Sequence, residues 1–150
     1  MTPSGRPIAS MSGVMNLSEK PLKDLRILVM EDEFLIAMDV EQLCQDHGAE
    51  EVVILRTLKE LGDRPVDQRG INVAIVDVML AGESTVEFAK TLQQSNVPFV
   101  FATGYAENES LFEAFPGVRV VGKPYAGPTL ITAIVEAVNA RQGREASGGV

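Results

Sequence analysis

The sequence predicts an α/β fold, a flavodoxin-like (βα)5 three-layer sandwich whose parallel sheet runs in the order 2-1-3-4-5. Three observations predict it. Strand-length apolar runs alternate with helix-length amphipathic runs five times between Leu25 and Arg141. Such alternation gives a parallel sheet with helices on both faces, joined by right-handed crossovers. The run Val73-Ala-Ile-Val-Asp77 is apolar up to its final carboxylate, as a strand buried on both faces requires. Five strands with one early reversal then give the stated order, which makes the first and third strands neighbours.

Residues 1–23 are rich in Pro, Ser, Gly and Met without sustained periodicity and read as a flexible leader. The domain spans 24–141. Leu25–Met30 is its first strand. Glu33–Asp46 is a helix with Ile36, Val40 and Leu43 on one stripe and Gly48 placed to end it. Glu51–Leu55 is the second strand. Thr57 to about Asp63 is a short helix capped by Thr57 and ended before Pro65. Ile71–Asp77 is the third strand. Ser84–Gln94 is a helix capped by Ser84, with Val86, Ala89 and Leu92 facing inward. Val97–Ala102 is the fourth strand, with Pro98 tolerated near its start. Glu107–Phe115 is a short helix carrying Leu111, Phe112 and Phe115, and Val118–Val121 is the fifth strand. Gly127–Arg141 is the clearest helix, with Leu130, Ile131, Ile134, Val135 and Val138 on one face. Residues 142–150 hold Gly, Ser and charge and read as a disordered tail.

A chain of 150 residues suits one domain with one real core. No apolar run is long enough to span a bilayer, and the N-terminus lacks the basic and apolar regions of a signal peptide. The expectation is a cytoplasmic protein without a membrane partner. The lone Cys44 allows no internal disulfide and reads as a small buried hydrophobe. A net charge of -8 argues against nucleic acid, whose phosphates are held by clustered Lys and Arg. It is compatible with a divalent cation and with a protein partner.

Carboxyl ends of strands are where open α/β sheets bind ligands. Asp77, at the end of the third strand, is therefore either a turn residue or the chemical centre. After the first strand comes Glu31-Asp32-Glu33. Strand adjacency brings these acids opposite Asp77. Like charges so close oppose folding unless compensated, and a hard divalent cation such as Mg²⁺ would compensate them. Glu31-Asp32-Glu33 alone reads equally as a solvated acidic helix start. The fourth strand leads to Thr103-Gly104, a rim hydroxyl beside a residue that permits close backbone approach, or simply a turn pair. The fifth leads to Gly122-Lys123-Pro124. There the Lys is either a surface residue or a point charge for carboxylate and phosphoryl oxygens, aimed inward by a cis X-Pro bond. All these residues fall on one rim. Together they suggest a site for Mg²⁺ and for a phosphoryl group on Asp77, an aspartyl-phosphate strategy. His47, at a helix end, reads as a partner of the helix dipole.

These residues give the chain a clear likeness. From Leu25 to Arg141 it resembles a response-regulator receiver domain. The family's acidic pair matches Glu31 and Asp32, its phosphoacceptor Asp77, its Thr/Ser Thr103, and its Lys before Pro Lys123. The resemblance implies that Asp32 and Asp77 bind Mg²⁺ directly, Glu31 through water, and the backbone carbonyl of Met79 completes the set. It implies a phosphoryl donor: the phosphohistidine of a sensor histidine kinase or a histidine phosphotransfer protein, or a small acyl phosphate. No enzymatic activity beyond autocatalytic phosphotransfer and self-dephosphorylation is implied. Pro98-Phe-Val-Phe-Ala-Thr-Gly-Tyr105 is similar to the PFxFATGY signature of the FAT GUY single-domain regulators of alphaproteobacteria. That narrower likeness implies general stress signalling and a kinase of the HWE or a related type.

One position departs from the family. Three residues before Lys123, where most receivers carry Tyr or Phe, stands Val120. Tyr105 then either reports phosphorylation in place of that aromatic or packs on a helix face. The short segment after Arg141 leads us to expect no output domain, so that the protein either switches a face for a downstream protein or drains phosphate from a shared kinase. A monomer or weak dimer suffices for both. Two alternatives differ in class. A Mg²⁺-dependent phosphohydrolase of the haloacid-dehalogenase type would need a DxD pair after the first strand, where the chain reads Glu31-Asp32-Glu33. A degenerate receiver acting only as a binding module would lack key side chains that are present here.

Overall fold

A computed structural model describes residues 20–62, 69–104 and 113–148, with 142–148 described through their backbone alone. In chain order the elements are β1 (Arg26–Met30), α1 (Phe34–Asp46), β2 (Glu51–Leu55), a 3-10 turn (Leu58–Leu61) and β3 (Val73–Asp77). There follow β4 (Met79–Leu80), β5 (Glu83–Ser84), α2 (Val86–Gln94), β6 (Phe99–Thr103), β7 (Val120–Gly122) and α3 (Gly127–Gly148).

Five strands form one parallel sheet in the order β2-β1-β3-β6-β7. Counting these five alone, that is the expected 2-1-3-4-5. All five residues of β3 are buried, as are all five of β6. Successive residues send side chains to opposite faces, and the core divides accordingly. Leu28, Met30, Ala74, Val76, Phe99 and Phe101 pack with Ala89 and Leu92 of α2. Ile27, Val29, Val73, Ile75, Val100 and Ala102 pack with Val40 and Cys44 of α1 and with Leu130, Ile131 and Ile134 of α3. The periodicity that marked α3 is thus the stripe that covers one face of the sheet.

The structure departs from the sequence reading in several places. The folded unit begins before Asp24. Residues 21–24 form a turn, Leu22 is fully buried, and its N–H donates to the His47 carbonyl at 2.9 Å. Lys20 Nζ reaches the Asp46 carbonyl at the end of α1, at 3.0 Å. The leader was read too long because one Leu among polar neighbours shows no period. At the other end α3 runs to Gly148 rather than stopping at Arg141 before a tail. Gln142, Arg144, Glu145 and Ala146 are good helix formers, and extending an existing helix is far easier than starting one.

Of the two expected caps, Thr57 makes no cap hydrogen bond, while Ser84 accepts the Val86 N–H from one place before the N-cap position. The Thr57 hydroxyl donates to Glu60 Oε2 at 3.2 Å, and that carboxylate also accepts the Arg56 N–H, so the 3-10 turn is closed from Glu60. The second helix starts at Val86, with Thr85 rather than Ser84 in the capping position. Between Asp77 and Thr85 an unforeseen hairpin, β4–β5, turns at Ala81-Gly82, where both residues have positive φ (51° and 84°). Such a turn wants glycine, and Gly82 meets that need. The helix expected over Glu107–Phe115 lies largely outside the described residues.

Leu22 gives a direct test of where the domain begins. Leu22→Ala is expected to lower unfolding free energy by about 2–5 kcal/mol, read from urea denaturation. A residue in a flexible leader would change it hardly at all.

Candidate functional site

β1 and β3 lie side by side with Met30 opposite Val76, so the residues following each emerge together. Glu31 is almost wholly buried, at 1% exposure, and Asp77 is 6% exposed. The chain after β1 folds so that the Glu33 N–H donates to Glu31 Oε2 at 3.1 Å. The Glu31 N–H in turn donates to the Leu55 carbonyl at 3.1 Å, tying this turn to β2. One carboxylate oxygen from each of Glu31, Asp32 and Asp77 lies within 4.8 Å of the others.

Lys123 reaches the same point from β7. Its Nζ donates to Glu31 Oε1 at 2.8 Å and to Asp77 Oδ2 at 2.9 Å. The Lys123 N–H donates to the Thr103 carbonyl at 2.8 Å, joining the ends of β6 and β7. The Lys123–Pro124 peptide is cis. Thr103 is buried, and with Gly104, Asp32, Glu33, Asp77, Val78, Met79 and Lys123 it lines a cleft of about 530 Å³.

Three carboxylates against one ammonium leave the cluster two charges negative. All donors are oxygens, close enough to share one small ion, and this suits a hard divalent cation. Burial pushes the Asp77 carboxyl above its ordinary 3.8, the Lys123 hydrogen bond and charge oppose this, Glu31 adds to it, and the Met79 N–H draws it back. For Lys123 burial acts downward, but Glu31 and Asp77 outweigh it and hold the ammonium above its ordinary 10.5. The Tyr125 phenol is raised by burial and by the charges of Glu31 and Asp77. Elsewhere burial pushes the Cys44 thiol up to about 12, as befits a residue that acts as a hydrophobe.

Glu31, Asp32, Asp77, Thr103 and Lys123, expected on one rim, are brought together, and Met79 lines the same cleft. Tyr105 lies outside the described residues. Val120 pairs with Phe101 on β6. His47 Nδ1 sits 2.8 Å from the Leu43 carbonyl of its own helix. Two contacts escaped the sequence. Arg56 Nη2 donates to the Asp32 carbonyl at 3.1 Å. Thr85, fully buried, donates its hydroxyl to the Asp77 carbonyl at 2.6 Å. A Thr at a helix start could have flagged the second, but it reads first as an ordinary cap. Nothing in the sequence marks Arg56.

No protein-family model matches the chain. The Phyllosphere-induced regulator PhyR of Methylorubrum extorquens is 30% identical over 111 residues, which cover 73% of this chain and 41% of that protein. The structure of anti-anti-sigma factor PhyR from Bartonella quintana matches with TM-score 0.68 and 27% identity, over 83% of this chain and 51% of that one. The signal receiver domain of a modulated diguanylate cyclase from Desulfovibrio desulfuricans G20 matches with TM-score 0.69 and 27% identity, over 81% and 99%. The fold is that of response-regulator receiver domains. The chain spans about two fifths of the curated relative's length. Among the described residues no helix is long and apolar enough to cross a membrane.

The raised Asp77 carboxyl fixes a pH dependence. The unfolded chain loses that proton near 3.8, the folded chain at a higher pH. Between the two values the native state holds the extra proton, so this contribution to stability falls as pH rises through the window and stays low above it. In chelator, Asp77→Asn is expected to be more stable than wild type at pH 7, with the difference vanishing below pH 3.8. Urea unfolding across the pH range checks both.

Proposed function

We propose that this chain is a response regulator of a two-component phosphorelay. In this reading Asp77 accepts a phosphoryl group from the phosphohistidine of a sensor histidine kinase, of the HWE or a related type, or of a histidine phosphotransfer protein. The observation that carries the reading is Lys123 Nζ, bonded to both Glu31 and Asp77 at a cleft completed by Asp32 and Thr103.

An Asp77 carboxylate oxygen attacks the phosphorus. A P–O bond forms, the P–N bond breaks, and its electron pair leaves with the imidazole. The product is an acyl phosphate. Asp32, Asp77 and the Met79 carbonyl would hold Mg²⁺ directly, and Glu31 through water. When bound, the ion would neutralise charge on the phosphoryl oxygens as the phosphorus comes under attack. Lys123 gives up its hold on Asp77 and pairs with a phosphoryl oxygen, and the Thr103 hydroxyl donates to another. Catalysis here is positioning and charge stabilisation, and the chain turns over no other substrate.

The consequence is read by a protein. The PhyR likenesses support this, one of those proteins being called an anti-anti-sigma factor. The segment from Pro98 to Tyr105 supports membership among the PFxFATGY regulators, and with it a role in cytoplasmic stress signalling. Val120 leaves no aromatic at the usual position, and Tyr105 takes over that report.

Intact mass after incubation with phosphoramidate or acetyl phosphate tests the reading. Wild type is expected to gain one phosphoryl group, only with Mg²⁺ present, in a hydroxylamine-labile form. Asp77→Asn is expected to gain none, and Lys123→Ala to react about 100-fold more slowly. An unmodified wild type, or a modified Asp77→Asn, overturns it. For Tyr105, phosphorylation-induced amide shifts should shrink in Tyr105→Ala. Unchanged shifts would remove it from the switch.

A further inference from the structure

Thr85 occupies the N-cap position of α2, yet its side chain makes no cap hydrogen bond. A Thr there ordinarily turns its hydroxyl onto a free N–H of the first turn. Here Ser84 Oγ accepts the Val86 N–H at 3.2 Å instead, and the Thr85 hydroxyl faces the sheet. It donates to the Asp77 carbonyl at 2.6 Å, with the Val78 carbonyl 3.1 Å away. The Thr85 N–H donates to that same Val78 carbonyl at 3.0 Å. One fully buried residue therefore holds the two peptide groups that follow the Asp77 side chain.

Those peptides need holding. The last pair between β1 and β3 is Met30 with Val76, so Asp77 lies one residue beyond the ladder on that side. On the other side the Val78 N–H still reaches the Ala102 carbonyl at 2.9 Å. The Asp77 backbone angles set the direction of its side chain, and the next peptide sets the Met79 N–H, whose polarity favours the charged form of the same carboxylate. A misplacement of about 1 Å at a reacting group can cost about 100-fold in rate.

We propose that Thr85 is a positioning residue for Asp77: its buried hydroxyl, bonded to the Asp77 carbonyl, holds that carboxylate in place among Glu31, Asp32 and Lys123. The rate consequence rests on the phosphoacceptor reading of Asp77. The geometric consequence does not.

The test compares wild type with Thr85→Val, Thr85→Ser and Leu92→Ala. The last empties core on the same helix and serves as a stability control. Phosphoryl incorporation from phosphoramidate is measured at saturating Mg²⁺, below the unfolding midpoint of every variant. Thr85→Val is expected to be slower by about 10- to 100-fold, Thr85→Ser to stay close to wild type, and Leu92→Ala to keep its rate despite its lower midpoint. The proposal is overturned if Thr85→Val keeps the wild-type rate, if Thr85→Ser falls as far, or if Leu92→Ala slows equally. Thr85→Ala stands in should Thr85→Val not fold. A second arm follows Mg²⁺ titration by the amide shifts of Asp77 and Met79. There weaker binding in Thr85→Val than in Thr85→Ser supports the positioning role, and equal binding overturns it, even if wild type accepts no phosphate.

Discussion

Two carboxylates share one ammonium in a setting nearly closed to water, and the sheet is arranged around that contact. Glu31 and Asp77 are 1% and 6% exposed. Buried charges persist only when paired and hydrogen-bonded. Glu31 arrives from β1 and Asp77 from β3, so their closeness follows from strand adjacency. Lys123 comes from β7, with β6 between it and Asp77. Neighbouring strands stand about 4.8 Å apart, so the side chain must span the end of β6. The Lys123 N–H anchored on the Thr103 carbonyl fixes where that side chain sets out. The rim residues are thus one device, placed by the ends of four strands, β1, β3, β6 and β7.

The compensation is incomplete. Lys123 satisfies one oxygen of each acid, while Asp32 adds a third charge on the open side of the cleft. The Asp77 carboxyl stays raised despite its lysine because burial and Glu31 act together. A domain selected for stability alone would place a neutral group there. Residues that break a local rule without a packing reason are expected at functional sites, and this cluster is the clearest such break among the described residues. It gives the charge deficit a use.

What the sequence made legible, and what it did not, follows from the range of each interaction. Val73 to Val76 announce a doubly buried strand because every residue must be apolar, a signal contained within the strand itself. The adjacency of β1 and β3 then follows from topology, so the meeting of Glu31, Asp32 and Asp77 could be argued before any coordinates. Leu22 was missed because its burial depends on the end of α1, where His47 supplies the partner. The extent of α3 was missed because Gly and Ser look like a tail when the helix preceding them is ignored. Thr85 was missed for a subtler reason. Its residue type satisfies two readings, cap and strand tether, and only the direction of one hydroxyl separates them.

The same reasoning bears on Val120. Phe99, Phe101 and Phe115 meet edge to face, with ring centroids 5.2–5.9 Å apart, and fill one face of the sheet beside α2. Val120 packs against this cluster and pairs with Phe101 across the strands. Val120 is only partly buried at the edge of that cluster, and with Val there no ring at 120 is available to carry a signal. A change at Asp77 has other routes among the described residues. Through Thr103 and the Lys123 N–H it reaches β7, and through the Thr85 hydroxyl it reaches the first turn of α2. The second route starts from the Asp77 backbone itself and joins it to a helix without an aromatic intermediary.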